Sequence, residues 1–94
     1  MKIYRYEKAD GGGPWFTLDG VGRFNEDVFM KDDVLYGCGS REELDKYFAE
    51  PAHRVDLSDC RLLCYIVPEE ECRILRSGEI EFPKKYKSSY YEVK

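Results

Sequence analysis

The chain has 94 residues, a formal net charge of −4 and four cysteines, so it has the length of one domain, residues 1–94. Its modest acidity argues against direct nucleic-acid binding, because phosphate contacts need a basic face. No stretch approaches the roughly 20 apolar residues of a membrane span, and the first residues lack the apolar run of a secretory signal. We therefore expect a cytoplasmic domain with reduced cysteines and no membrane partner.

The first strand is predicted over residues 2–7, which are rich in Tyr and Ile with period-two spacing. Ile3, Arg5 and Glu7 then share one face of the strand. Gly11-Gly12-Gly13-Pro14 predicts a loop after it, since three glycines and a proline suit unusual backbone angles. Residues 21–34 have no clear periodicity, and we expect a loop or a short helix there.

The clearest local signal is a capping box at Ser40-Arg41-Glu42-Glu43. Leu44, Tyr47 and Phe48 follow as an i, i+3, i+4 apolar stripe, and Pro51 ends the segment. The sequence therefore predicts a helix over residues 41–49.

The sequence of the second half of the chain predicts strands and one helical turn. Residues 60–67 form a near-continuous apolar run, which is typical of a central strand covered on both faces. Residues 68–73 begin with proline and three glutamates, as the first turn of a short helix does. Residues 79–82 alternate as a strand, and residues 88–93 add a final one. The predicted fold class is α+β, with a small mixed, mostly antiparallel sheet.

The cysteines do not predict a metal site, because none of them form a C-x-x-C pair. In an extended strand Cys60 and Cys64 would lie about 13 Å apart, at ~3.3 Å per residue, which is too far to chelate one zinc ion. We expect thiols that pack as small apolar groups.

Arg5 is the strongest candidate site residue, because it lies in mid-strand on the face that Ile3 turns inward. A guanidinium in that position needs an anionic partner. Glu79 and Glu81 share one face of a later strand and could supply it in an internal ion pair. Alternatively, Arg5 and Glu79 line a cleft, where Arg5 binds a pyrophosphate and Glu79 stabilises positive charge developing at a sugar carbon.

The second alternative resembles the ADP-ribosyltransferase fold. Tyr4-Arg5 is similar to that family's aromatic-arginine pair on the first strand, which binds NAD, and Glu79-Ile80-Glu81-Phe82-Pro83 is similar to its late glutamate strand. The resemblance implies a minimal or degenerate mono-ADP-ribosyltransferase that uses NAD. Arg5 and Glu79 would then be catalytic, and Trp15 or Tyr36 would stack on a ring of the ligand. Outside that resemblance we expect no cofactor.

Most of the chain also resembles a group of small proteins encoded by phages and mobile elements, whose size class includes anti-CRISPR inhibitors of bacterial defence. The resemblance implies an accessory protein that binds a host protein or ribonucleoprotein in the bacterial cytoplasm. Residues 19–50 carry nine acidic and four basic residues, which form either solvated faces that aid solubility or an acidic patch. As a patch, Glu26, Asp27, Asp32 and Asp33 would contact a basic partner surface. The matching segments are Tyr4-Arg5-x-Glu7, Gly12-Gly13-Pro14, Tyr36-Gly37-x-Gly39-Ser40, Glu43-Leu44, Tyr47-Phe48, Tyr65-x-Val67-Pro68-Glu69-Glu70 and residues 79–82.

Overall fold

A computed structural model describes residues 1–8, 13–16, 22–25, 34–50, 57–76 and 78–93, with only the backbone described for residues 13–16 and 22–25. The predicted α+β class is confirmed. The elements in chain order are β1 (Lys2–Glu7), β2 (Gly13–Phe16), β3 (Gly22–Asn25), β4 (Val34–Gly37), α1 (Arg41–Ala49), β5 (Arg61–Ile66), a 3₁₀ turn (Glu69–Glu71), β6 (Arg73–Ile74), β7 (Ile80–Pro83), a second 3₁₀ turn (Lys84–Tyr86) and β8 (Tyr90–Glu92).

The described strands form two three-stranded sheets and one hairpin. Sheet I has the order β1-β5-β8, sheet II has the order β4-β7-β6, and β2 pairs with β3. Every pairing is antiparallel, which agrees with the predicted mostly antiparallel arrangement. The mixed single sheet expected from the sequence is thus divided into smaller units.

Strand β5 is the centre of sheet I, as its apolar sequence predicts. Its residues Leu62, Leu63, Cys64 and Tyr65 are all buried, because one face packs against sheet II and the other faces α1. The larger core cluster joins the inner faces of the two sheets and consists of Ile3, Leu35, Leu63, Tyr65, Val67, Ile80 and Phe82.

The two sheets are joined where β1 meets the end of β4. The amide of Tyr4 donates to the carbonyl of Cys38 across 2.7 Å, and the Cys38 amide donates back across 2.9 Å. A Cβ atom on the neighbouring Gly37 would lie 2.6 Å from both Ile3 Cγ2 and the Tyr4 carbonyl oxygen. Only glycine therefore allows this close approach of the two backbones.

Helix α1 begins at the predicted cap and ends just before Pro51. The Glu43 amide donates to the Ser40 hydroxyl across 3.1 Å, which confirms the N-cap. Leu44 is buried, and the flanking rings of Tyr47 and Phe48 pack against sheet I. No helix within the described ranges combines the length and apolar character that spanning a membrane requires.

Two expectations for the first third of the chain are wrong. Gly13 and Pro14 belong to β2 rather than to a loop, and residues 22–25 form strand β3 rather than a loop or helix. Pairing with β3 holds these residues extended, with Gly13 opposite Asn25 and Pro14 opposite Phe24.

We expect Gly37→Ala to lower the free energy of unfolding by about 1–3 kcal/mol, the usual cost of overfilling a packed site. Urea denaturation followed by circular dichroism measures this change. Gly39→Ala is the matched control, because a Cβ atom there would first meet Ile80 Cδ1 at 3.4 Å, an ordinary contact. Equal stability of the two variants would show that the backbones of β1 and β4 leave room for a Cβ atom at residue 37.

Candidate functional site

Arg5 lies on the buried face of β1, as predicted, and pairs with a residue of its own strand. Arg5 is 8% exposed and Glu7 is 3% exposed. The Arg5 Nε donates to Glu7 Oε2 across 2.9 Å. The two side chains meet because residues two apart on a strand point to the same face.

Tyr65 of β5 completes this buried polar group. Its hydroxyl donates to the same Glu7 Oε2 atom, and its ring is fully buried against Phe82. Burial raises the pKa of the Tyr65 hydroxyl above its usual range, and the hydrogen bond to Glu7 and the charge of Glu7 raise it further. The phenol therefore stays protonated and serves as a donor to the carboxylate.

The Arg5 guanidinium also donates a hydrogen bond to β4, an edge strand of sheet II. Its Nη1 donates to the main-chain carbonyl of Tyr36 across 3.2 Å. This carbonyl lies two residues before Cys38, where the described main-chain bridge between β1 and β4 is made. The guanidinium thus adds a side-chain contact between β1 and β4 next to the main-chain contact at Tyr4.

The sequence-based pairing of Arg5 with Glu79 or Glu81 is therefore replaced by an ion pair with Glu7. The sequence contained the signal, since Arg5 and Glu7 share the period-two face of β1. Choosing among three carboxylates, however, required knowledge of how the two sheets pack. Arg5 serves an internal contact instead of facing an open cleft.

The remaining predicted site residues are distributed over different parts of the chain. Tyr36 lies beside Glu81 in sheet II, and burial, then the charge of Glu81 and a hydrogen bond to it, raises the pKa of the Tyr36 hydroxyl. Trp15 lies in β2 opposite Arg23, but its side chain falls outside the described part. The acidic residues Glu26, Asp27, Asp32 and Asp33 also lie outside the described residues.

A groove that the sequence did not predict runs between α1 and the β6–β7 hairpin, with a volume of about 750 Å³. The hairpin contributes Ile74 and Ile80, which are Cα partners across the β6–β7 pair. Ile74 is 69% exposed, the largest exposure among the large apolar residues described. The lining residues are Met1, Cys38, Gly39, Glu43, Lys46, Tyr47, Glu50, Ile74, Gly78 and Ile80.

The groove has an acidic rim. Helix α1 places the exposed carboxylates of Glu43 and Glu50 along it, with the ammonium group of Lys46 between them. Glu79 adds a third negative charge, whose field is felt by the groove residues Cys38 and Tyr47. The N-terminal amino group of Met1 is engaged with the Val67 carbonyl at 2.7 Å.

Burial and these carboxylates shift two ionisable groups of the groove. Burial, followed by the charges of Glu79 and Glu43, raises the pKa of the Cys38 thiol to about 11. Burial, followed by the charge of Glu79, raises the pKa of the Tyr47 hydroxyl to about 12. Both groups are therefore neutral at physiological pH.

The cysteines behave as small packed side chains. All four thiols are free, with Cys38 and Cys64 buried and Cys60 and Cys72 half-buried. No cluster of three or more His, Cys, Asp or Glu side chains among the described residues could hold a metal ion.

We expect Glu7→Ala to lower the free energy of unfolding by about 3–5 kcal/mol, because it leaves the Arg5 charge buried without a partner. The double variant Arg5→Met with Glu7→Leu removes both charges, so its free energy of unfolding should fall by less. Tyr65→Phe should cost about 1–3 kcal/mol, since one donor to the carboxylate disappears. Urea denaturation compares all three, and a double variant that is less stable than Glu7→Ala would contradict the assignment.

We expect Glu79→Gln to accelerate alkylation of Cys38 by iodoacetamide near pH 9. Removing the negative charge lowers the pKa of the thiol and raises the thiolate fraction, which is the reactive form. Mass spectrometry of the Cys38 peptide gives the rate. Glu92→Gln, on the exposed strand β8, is the control and should leave the rate unchanged. An unchanged or slower rate in Glu79→Gln would show that this carboxylate does not act on the groove.

The chain matches no protein-family model, no curated protein and no solved structure. Both resemblances seen in the sequence therefore remain predictions, and the function has to be inferred from the site.

Proposed function

We propose that this chain is a protein-binding domain, and that it binds a partner in the groove between α1 and the β6–β7 hairpin. The single observation that carries the proposal is the highly exposed Ile74 in a groove with an acidic rim. Apolar surface next to well-placed charges is typical of a recognition site.

The apolar part of the groove supplies binding energy. Ile74 and Met1 present apolar surface to an incoming side chain, and complete burial of one isoleucine is worth about 1.5–3 kcal/mol. In the free protein this stabilisation is absent, because Ile74 faces water. A partner that covers Ile74 therefore gains it on binding.

The charges define the kind of partner. Three carboxylates, from Glu43, Glu50 and Glu79, face one lysine, Lys46, so the rim favours basic side chains. This supports the partner class expected from the sequence, a host protein or ribonucleoprotein with a basic surface, as an anti-CRISPR-type inhibitor would bind. In this proposal the described groove takes a role that the sequence assigned to the acidic residues at 26–33.

The internal pairing of Arg5 favours this proposal over chemistry on NAD. A guanidinium that is buried, neutralised by Glu7 and bonded to the Tyr36 carbonyl has little left to offer a pyrophosphate. The ADP-ribosyltransferase hypothesis depends on that guanidinium for cofactor binding. We therefore propose no cofactor.

A library of short random peptides displayed on phage tests the proposal. Selection on the immobilised protein should enrich sequences that combine Lys or Arg with large aliphatic or aromatic residues. A selected peptide should bind Ile74→Lys about tenfold more weakly, since a charge replaces an apolar contact worth roughly 1.5 kcal/mol or more. Calorimetry measures the affinity.

The matched control is Ile66→Lys, because Ile66 is also exposed, at 47%, but does not line the groove. This variant should bind the peptide as the wild type does. Charge reversal of Glu43 and Glu50 should weaken binding, whereas reversal of Glu69 and Glu70, which do not line the groove, should not. Equal losses in the groove variants and their controls, or failure to enrich basic peptides, would refute the groove as a binding site.

A further inference from the structure

Strand β6 forms one wall of the groove and is also the free edge of sheet II. It pairs with β7 on one side, and no described strand lies on its other side. The hairpin is closed by a turn in which the Gly78 amide donates to the Leu75 carbonyl across 3.0 Å. Gly78 has φ = 88°, so glycine suits this turn position.

The hydrogen-bond pattern of the hairpin shows which backbone groups of β6 point outwards. The Leu75 amide donates to the Glu79 carbonyl across 2.8 Å, so these two residues form a hydrogen-bonded pair. In an antiparallel ladder such pairs alternate with non-hydrogen-bonded ones. The next pair, Ile74 with Ile80, is therefore non-hydrogen-bonded, and the N–H and C=O of Ile74 are directed away from β7.

We propose that the partner binds as an added β-strand, an extended segment with apolar and basic side chains that pairs with the main chain of Ile74. This inference rests on the proposed function and specifies the conformation of the bound partner. Strand addition satisfies the outward N–H and C=O of Ile74. It also places alternate side chains of the segment on the groove side of the sheet, between Ile74 and α1.

The charges of the two free edges select β6 over β8. A segment beside β6 has the carboxylates of Glu43 and Glu50 across the groove. Strand β8 is the free edge of sheet I, but residues 83–94 around it carry four lysines and one glutamate. Residues 71–82 around β6 carry three acidic residues and two basic ones, Arg73 and Arg76, so a basic segment is favoured at the first edge over the lysine-rich second edge.

Amide hydrogen exchange of the full chain, followed by NMR, tests the proposal with a peptide from the phage selection as the probe. The Ile74 amide should exchange freely in the protein alone and slow by about tenfold or more when the peptide saturates the groove, because it becomes hydrogen-bonded. The Tyr90 amide of β8 should be unchanged.

The outcomes separate this inference from the proposed function. Shifts of the Ile74 and Ile80 methyl resonances without protection of the Ile74 amide would overturn strand addition and leave groove binding intact. A selected peptide that perturbs neither the methyl groups nor the amide would overturn both. Protection of the Tyr90 amide in place of the Ile74 amide would place the partner at β8 instead of β6 and overturn the inference.

A pair of substitutions gives a second readout. Ile74→Val keeps the N–H and a β-branched apolar side chain, so its affinity should stay within about threefold of the wild type. Ile74→Pro removes the N–H at an edge position where it makes no contact with β7, and it should weaken binding by about tenfold relative to Ile74→Val. Equal affinities of the two variants, with both shown to be folded by circular dichroism, would overturn strand addition.

Discussion

The structure depends on a carboxylate in its interior. Glu7 accepts hydrogen bonds from Arg5 and Tyr65 on one oxygen atom, and all three side chains are buried. A buried charge is tolerated only when it is paired and hydrogen-bonded, so these contacts constrain the positions of β1 and β5. Arg5 extends the same constraint to sheet II through the carbonyl of Tyr36. A polar group therefore specifies how two largely apolar sheet faces are aligned.

The contact between β1 and β4 relates the alignment of the sheets to the shape of the groove. The Tyr4–Cys38 bridge and the close approach at Gly37 hold the end of β4 against β1. The chain then passes directly into α1, whose cap is Ser40. Helix α1 is thereby placed beside sheet I, with its acidic side facing the β6–β7 hairpin. The connection from β4 to α1 is short, so the contact between the two sheets at Cys38 also determines where α1 and the groove lie.

Exposed apolar surface and outward-facing edge backbone coincide at Ile74, on the wall of the groove. Each feature by itself is common on protein surfaces, and short edge strands are usually protected from further pairing by charge. Here the opposite wall of the groove carries two carboxylates, Glu43 and Glu50, and one ammonium group, Lys46, so its charge favours basic segments over acidic ones. In the proposed function this charge selects the class of partner that can pair with the edge.

The sequence by itself determined the local elements. Ser40 and Glu43 predicted the start of α1, the apolar run at 60–67 predicted the central strand β5, and the alternation in residues 2–7 predicted that Arg5 and Glu7 face inwards. These features follow from periodicity and capping, which act over a few residues. The loop predicted at Gly13 and Pro14 is wrong, because both residues pair with β3 in spite of their local preferences.

Only the tertiary structure decided which distant groups meet. It chose Glu7 over Glu79 and Glu81 as the partner of Arg5, brought Tyr65 to the same oxygen, and placed Ile74 opposite the acidic side of α1. The physical reason is that long-range contacts depend on how sheets and helix pack, and packing is set by the whole core rather than by any one segment.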